Sequence, residues 1–311
     1  MIKFISYPRR LMAASVAVVS LLGISPVHGE VNKHFTDIPE KLTHATAQMR
    51  EILKENPDAH VDSIEARILT DMSIDGPVGK LSDLKGASKK KLSAEQVFEK
   101  CHRSSLVFGK MEHVPYIKAD SAYSNASAVV LTPDGVCATN FHVVADMVLR
   151  GAMNHKVGTD RGRFVMDYDG NCYPVTDVLT IDPLNDFAII KVDTKGTKLT
   201  APTIGDDLPQ GATVYCLSHP SGAYYHFTEG IVSNNTRKTD PRKGSTKYIT
   251  EITADYGVGA SGGPIFDECG NLVAIVSSTF SLYGNPQQYR NFQMSYKQTV
   301  PVFLIKERFT K

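Results

Sequence analysis

The chain has 311 residues, of which 42% are hydrophobic, and this is enough for one large globular domain or two small ones. Its 34 basic and 33 acidic residues give a formal net charge of +1. A net charge this close to zero does not attract the protein to nucleic acid or to an anionic surface, so we expect no nucleic-acid partner.

The first 29 residues are typical of an export signal. Three basic residues precede an almost uninterrupted apolar run at 11–24, and small or compact residues follow at 27–29. The run is shorter than the roughly 20 residues that a membrane span needs, although a retained anchor is the alternative. We expect residues 1–29 to be removed, the mature chain to begin near Glu30, and the protein to be periplasmic or secreted without a membrane span.

Residues 30–74 predict a helical N-terminal extension. Apolar residues recur at helical spacing up to Leu53, Pro57 interrupts the pattern, and a second run ends at Met72. These helices are too short to bury a core alone, so we expect them to dock on the following domain or to join protomers into a homo-oligomer. Residues 75–91 are rich in Gly, Ser and Lys and predict a solvated linker.

The residues after the linker, 92–311, predict many short strands. A short helix at 94–101 comes first, and a closing helix is expected at 300–308. Strands that are evenly spaced and separated by turn residues favour an all-β barrel or sandwich over alternating strands and helices. The strand candidates are 104–109, 128–131, 136–139, 163–167, 173–179, 187–192, 212–218, 226–232, 247–253, 272–278 and 292–296.

The five cysteines form no Cys-x-x-Cys pair and no Cys/His metal signature, so we expect no metal and no cofactor. In an oxidising compartment some of them could pair, but an odd count leaves at least one free or intermolecular. The alternative is that most are buried free thiols. The cysteines are Cys101, Cys137, Cys172, Cys216 and Cys269.

Three stretches of the sequence together contain the residue types that nucleophilic catalysis by a serine requires. Residues 257–266 read Gly-Val-Gly-Ala-Ser-Gly-Gly-Pro-Ile-Phe, a loop that can present Ser261 while its backbone N–H groups converge on one point. His142 follows a strand candidate, and Asp186 precedes one. A serine nucleophile needs a base, and a carboxylate orients that base. A satisfied core histidine is the alternative for His142, while Asp182 and Asp193 compete with Asp186.

The motifs Thr-Asn-x-His-Val-Val, Asp-x-Ala-Ile-Ile-Lys and Gly-x-Ser-Gly-Gly-Pro, in this order, resemble those of trypsin-like serine proteases with the chymotrypsin fold, and most closely the HtrA type. The resemblance covers about residues 95–308 and implies two six-stranded antiparallel β-barrels. It also implies catalytic roles for His142, Asp186 and Ser261, with an oxyanion hole formed by the N–H groups of Gly259 and Ser261.

The sequence departs from these families at two points. Ala260 stands before the serine, where digestive proteases have an aspartate that pairs with a newly cut N-terminus. We therefore expect no zymogen switch. No PDZ-like module is apparent after the protease region, although HtrA-type proteins usually have one.

Asp255 and Ser277 are the candidates for the specificity pocket. Asp255 lies six residues before Ser261, and in trypsin-like enzymes the residue at this offset lies at the base of the pocket. A buried carboxylate there would select Lys or Arg before the cut bond. The alternative is a structural Asp255 that caps its loop or pairs with a base such as Lys247. The resemblance to HtrA-type proteins would then imply cleavage after small aliphatic side chains.

The sequence as a whole predicts an exported serine endopeptidase that acts on proteins or peptides through an acyl-enzyme. The alternative function is a catalytically silent protein of the same fold that binds peptides by strand addition.

Overall fold

The structure, a computed structural model, describes residues 35–70, 74, 76–148 and 160–311. The predicted signal peptide, residues 1–29, lies outside these residues, as does Met72. The residues from Asp37 to Lys311 belong to one compact unit.

Two N-terminal helices, α1 (Ile38–Glu55) and α2 (Val61–Thr70), lie against the strands that follow. The Asp37 carboxylate accepts a hydrogen bond from the Glu40 N–H at 2.9 Å and so caps α1. Met49 and Ile64 are fully buried, Met49 in the main core and Ile64 among side chains of the first barrel. Because both helices bury apolar faces against the strands, they form a layer of the same compact unit rather than a separate unit.

Three more helices and fifteen strands occur in the described ranges, and none of these helices is both long and apolar enough to cross a membrane. The helices are α3 (Ala94–Cys101), α4 (Phe141–Val148) and α5 (Val302–Lys306). The strands are β1 (Gly79–Lys80), β2 (Ser105–Val114), β3 (Ala119–Val130), β4 (Val136–Thr139), β5 (Asp160–Met166), β6 (Cys172–Asp182), β7 (Phe187–Val192), β8 (Thr203–Ile204), β9 (Thr213–Ser218), β10 (His226–Asp240), β11 (Ser245–Ile252), β12 (Pro264–Asp267), β13 (Asn271–Asn285), β14 (Arg290–Pro301) and β15 (Phe309–Thr310).

The first barrel closes in the strand order β2-β3-β4-β7-β6-β5. Its antiparallel β4 and β7 pair Thr139 with Ala188. This register places the residues that follow β4 beside those that precede β7, so His142 and Asp186 are brought together by strand pairing.

The second sheet has the order β12-β9-β10-β11-β14-β13-β8, and β12 also pairs with β13. Six of these strands therefore form a closed ring, and β8 is added in parallel at Asn271 and Leu272 of β13. The predicted all-β fold with two barrels is confirmed.

Two hairpins of the second barrel extend farther than the sequence predicts. The β10–β11 pairing continues to Asp240 and Ser245, and the β13–β14 pairing continues to Asn285 and Arg290. The outer part of the β10–β11 hairpin is polar and lacks the apolar alternation of the inner part. The outer part of the β13–β14 hairpin keeps an apolar alternation, but its Phe280, Phe292 and Met294 side chains are exposed. The predicted closing helix is shorter than expected, because β14 continues to Pro301.

Residues 76–91, expected to be a solvated linker, run along the second barrel instead. The Ser88 N–H donates to Asn271 Oδ1 at 2.7 Å, and Asn271 Nδ2 donates to Ser88 O at 2.9 Å. The Ile204 N–H donates to Lys85 O at 2.8 Å. These bonds are made by backbone and polar groups and leave no apolar periodicity in the sequence, so composition alone predicts a spacer.

All five cysteines are free thiols. Four are buried, and burial raises the pKa of each of these thiols to about 12: Cys101, Cys137, Cys172 and Cys216. Cys269 is partly exposed.

Candidate active site

Three side chains form one hydrogen-bonded chain between the two barrels. Ser261 Oγ lies 2.9 Å from His142 Nε2, and His142 Nδ1 lies 2.9 and 3.0 Å from the two Asp186 carboxylate oxygens. The His142 side chain is 49% exposed, whereas that of Asp186 is 17% exposed. A substrate can therefore reach the imidazole, while the carboxylate is shielded behind it.

His142 lies in the first turn of α4, directly after β4. Val144 and Met147 on the same helix are fully buried in the first barrel, which fixes the direction of the helix. The His142 N–H also donates to Asp186 Oδ1 at 3.1 Å. Both the backbone and the ring of His142 are thus tied to the same carboxylate.

Asp186 lies in the turn between β6 and β7 with a φ of +62°. Asn140 Nδ2 donates to its carbonyl oxygen at 2.8 Å and helps to hold this left-handed conformation. Ser277 Oγ donates to Asp186 Oδ2 at 2.6 Å. Burial alone would raise the pKa of the Asp186 carboxyl, but the hydrogen bonds from His142 and Ser277 outweigh it and lower that pKa.

The two competing acids have other partners. Asp182 Oδ2 lies 3.3 Å from Arg308 Nη2, and its Oδ1 accepts the Asn185 N–H at 2.9 Å. Asp193 accepts the Lys195 N–H at 2.8 Å. Of the three candidates, Asp186 is the one whose carboxylate contacts the histidine.

The loop around Ser261 is bent at Gly259 (φ +93°) and Gly262 (φ +83°), and a Cβ on Gly262 would lie 2.3 Å from Ser127 O. Ser127, on β3 of the first barrel, holds this loop. Its N–H donates to Ser261 O at 2.8 Å, and its Oγ donates to Gly259 O at 3.1 Å. The position of the serine therefore depends on contacts between the barrels.

The N–H groups of Gly259 and Ser261 donate to no acceptor within the described ranges. Two unpaired N–H groups on one bent loop are what a developing oxyanion requires. Ala260 between them is fully buried, and its N–H donates to Gly257 O at 3.1 Å.

His219 supports the site from behind. Its Nδ1 accepts the Tyr225 N–H at 3.0 Å, so Nε2 carries the proton and donates to Ser105 Oγ at 3.2 Å. Burial lowers the pKa of His219 to about 3, which keeps the ring neutral. The His219 N–H donates to Ser127 Oγ at 3.1 Å. The motif at 219–222 is the only sequence signal for this role.

The two pocket candidates lie in different surroundings. Ser277 contacts Asp186, as described above, rather than lining a pocket with its hydroxyl. The Asp255 side chain is 78% exposed, and its Oδ1 lies 2.7 Å from Nζ of Lys297 rather than near Lys247. The hydrogen bond from Lys297 lowers the pKa of the Asp255 carboxyl. Selection of Lys or Arg before the cut bond would require a buried, unpaired carboxylate. The Asp255 carboxylate is instead exposed and paired with Lys297.

No group of three or more His, Cys, Asp or Glu side chains in the described part of the chain could hold a metal ion.

Comparison with known proteins classifies this arrangement. Residues 126–275 match the family model of the trypsin-like peptidase domain. These 150 residues, just under half of the chain, are similar to that domain. The matched stretch begins on β3, ends on β13, and includes His142, Asp186 and Ser261.

Relatives of this chain are named as proteases of the Do-like, DegP-like and HTRA1 types, so the predicted resemblance is confirmed. "Protease Do-like 5, chloroplastic" from Arabidopsis thaliana is 28% identical over 156 residues, which cover 49% of this chain and 47% of the relative. "Probable periplasmic serine endoprotease DegP-like" from Brucella suis biovar 1 (strain 1330) is 31% identical over 163 residues, covering 52% of this chain and 29% of the relative. The chain thus matches less than half the length of these relatives.

Solved structures agree on the fold. The crystal structure of Deg5 has a TM-score of 0.50 at 20% identity and covers 68% of this chain and 90% of that chain. The HtrA-type protease AlgW with decapeptide has a TM-score of 0.52 at 21% identity, with coverages of 70% and 67%.

Proposed function

We propose that the chain is an exported serine endopeptidase that hydrolyses peptide bonds through an acyl-enzyme on Ser261. The observation that carries this proposal is the hydrogen-bonded chain from Ser261 Oγ through both ring nitrogens of His142 to Asp186. Export is supported by the apolar run at 11–24 and by relatives whose names describe periplasmic endoproteases.

The residues support each step of the reaction. Ser261 Oγ attacks the carbonyl carbon while His142 Nε2 takes its proton, and Asp186 stabilises the resulting imidazolium. The N–H groups of Gly259 and Ser261 bind the oxyanion. The C–N bond then breaks as His142 gives its proton to the leaving amine. A water, deprotonated by His142, attacks the ester and releases the acid and Ser261.

Two substitutions test the proposal. Ser261→Ala and His142→Ala should each lower kcat on a peptide substrate by roughly 10⁶-fold while the thermal unfolding transition remains. His113→Ala is the matched control, because His113 Nδ1 also lies close to a carboxylate, 2.8 Å from Asp120 Oδ1, but far along the chain from the serine. It should leave kcat unchanged. Near-normal hydrolysis by Ser261→Ala would refute the assignment.

An acylating active-site probe separates this function from the silent peptide-binding alternative. The wild type should be labelled on Ser261, and labelling should disappear in His142→Ala. Binding of peptides without labelling or cleavage would favour the alternative.

Assembly of protomers through residues 30–74 also stays a prediction; the inner faces of α1 and α2 are already covered by the rest of this chain.

A further inference from the structure

Arg163 on β5 is a charged side chain inside the first barrel, where the residue is only 1% exposed. Its Nη2 lies 2.5 Å from Asp146 Oδ2 on α4, and its Nη1 donates to Asp160 Oδ1 on β5. Burial alone would lower the pKa of the guanidinium, but its bonds to the two carboxylates raise it. Arg163 is therefore charged, and it joins β5 to the helix that carries His142.

Asp146 and His142 lie on the same face of α4. Asp146 follows His142 by four residues, and residues four apart on a helix are neighbours about one turn apart. Their side chains are similarly exposed, 46% for Asp146 and 49% for His142. A shift or rotation of α4 that breaks the bond between Asp146 and Arg163 therefore moves His142 as well.

The bond to Arg163 restrains α4 in a way that its apolar contacts do not. Asp146 Oδ2 accepts from Arg163 Nη2, whereas Asp146 Oδ1 is buried and has no hydrogen-bond partner in the described ranges. Val144 and Met147 hold the same helix through buried apolar contacts. Apolar contacts are not directional, so they permit small rotations that a charge-assisted hydrogen bond resists.

Stability alone does not account for a buried arginine at this position. Removal of charged groups from water is costly, and apolar residues of similar volume are often at least as stable in their place. The planar guanidinium adds a fixed geometry, because it bonds its two partners from one rigid fork. Catalysis needs such precision, since a displacement of about 1 Å can lower a rate about 100-fold.

We propose that Arg163 is a positioning residue, which holds α4 through Asp146 and thereby orients the ring of His142. This inference rests on the proposed endopeptidase function. Arg163 is buried, so its effect on the reaction passes through the helix rather than through contact with substrate. The distance that it maintains is the one from His142 Nε2 to Ser261 Oγ, which is 2.9 Å.

The main test is the rate constant of acylation by an active-site probe, measured for Asp146→Ala and Asp146→Asn. Asp146→Ala removes the acceptor, so this rate constant and kcat on a peptide should fall by about 100-fold while KM changes by less than a few-fold. Asp146→Asn keeps an oxygen that accepts from Arg163 and should stay within a few-fold of wild type. The amplitude of labelling counts folded enzyme, so a purely structural defect lowers the amplitude and leaves the rate constant unchanged.

A double-mutant cycle tests whether Arg163 acts through Asp146. Arg163→Met should lower kcat to about the same extent as Asp146→Ala, and the double variant should lose no more than either single variant. Losses that multiply in the double variant would overturn the inference, because the two residues would then act independently. If Arg163→Met does not fold, the comparison of the two Asp146 variants still decides.

Val192→Ala is the matched control for loss of stability. Val192 lies on β7 and is fully buried among apolar side chains of the same barrel. Its truncation should lower the melting temperature without changing the acylation rate constant. An equal fall in the rate constant for Val192→Ala overturns the inference, as does an Asp146→Asn variant that is as slow as Asp146→Ala.

The wild type distinguishes failure of this inference from failure of the proposed function. If the wild type reacts with the probe and cuts peptides, and Asp146→Ala reacts equally fast, the inference alone is overturned. A wild type that neither reacts with the probe nor cuts any peptide overturns the proposed function, and this inference with it.

Discussion

The turn at Asp186 and the loop at Asp255 both present an aspartate that its sequence position singles out, yet the two side chains have opposite surroundings. Asp186 is 17% exposed and accepts hydrogen bonds from His142 and Ser277. Asp255 is 78% exposed and pairs with Lys297. One carboxylate is enclosed by groups of the candidate site, whereas the other is held by a lysine and faces solvent.

The difference shows that sequence spacing locates a residue on a loop but does not fix where its side chain points. Asp186 is directed by strand pairing, because β4 and β7 bring it beside His142. Asp255 follows Ala254, which is fully buried, and precedes the buried Tyr256. Between two inward side chains it points outward.

The largest contrast is expected from the matched substitutions Asp186→Asn and Asp255→Asn. Asp186→Asn should lower kcat by about 10⁴-fold, because the amide no longer holds the imidazole in the correct tautomer. Asp255→Asn should change kcat on the same peptide substrate by less than a few-fold. Steady-state kinetics of both variants checks this, and equal losses would remove the functional distinction between the two carboxylates.

Ser277→Ala should have an intermediate effect, about a tenfold loss of kcat, because it removes one hydrogen bond to a charged group. Loss of that bond also raises the pKa of Asp186, so the loss of unfolding free energy on acidification, measured as a pH–stability profile, should begin at higher pH. Ser277→Thr keeps a hydroxyl and should restore both. A Ser277→Ala variant with a wild-type profile would show that the contact does not tune the acid.

Acid unfolding should separate wild type from Asp186→Asn. The folded pKa of Asp186 is lowered from the ordinary aspartate value of about 3.9. Its ionisation therefore stabilises the fold fully above that value, and this contribution is lost as pH falls through the lower folded pKa. In urea titrations between about pH 5 and pH 2, wild type should lose more unfolding free energy than Asp186→Asn. Parallel curves would contradict this.

The smallest effect is expected for Asp255→Ala on stability. Exposed ion pairs contribute about 0–1 kcal/mol, so the free energy of unfolding at pH 7 should change by no more than about 1 kcal/mol. The change should shrink further in about 1 M salt, which screens the pair with Lys297. A larger, salt-independent loss would mean that Asp255 has a structural role beyond this pair.

The sequence predicts the barrel strands whose side chains alternate between core and surface, and it predicts the stretches around His142, Asp186 and Ser261. These stretches combine a catalytic residue type with a strand boundary or a glycine-rich turn. The nearness of the three side chains follows once β4 pairs with β7 and Ser127 bonds to the serine loop. Hydrophobic periodicity does not predict such long-range pairing, although the order of the three motifs is the one found in proteins that have it.

Other features have no local signature. Ser127 and His219 position the serine loop through hydrogen bonds between residues distant in sequence, 92 apart for the His219 N–H and Ser127 Oγ. In the sequence, Tyr256 is not distinguished from any other aromatic residue in a loop, although its hydroxyl donates to the carbonyl oxygens of Ser278 and Gln298. The path of residues 76–91 depends on Asn271, nearly two hundred residues later in the chain. In each case the partner is polar, and polar residues give no burial pattern from which to infer the contact.

The parallel pairing of β1 with β15 has a consequence for the order of synthesis. Gly79 pairs with Phe309, so a ladder two residues long joins segments 230 positions apart. The adjacent Arg308 stacks over the Phe187 ring at 5.4 Å and pairs with Asp182, at either side of the turn that contains Asp186. Contacts of such long separation form slowly. A nascent chain that stops short of residue 308 lacks these contacts. The contacts of Arg308 with residues on either side of the Asp186 turn can therefore form only after the strands of both barrels have been synthesised.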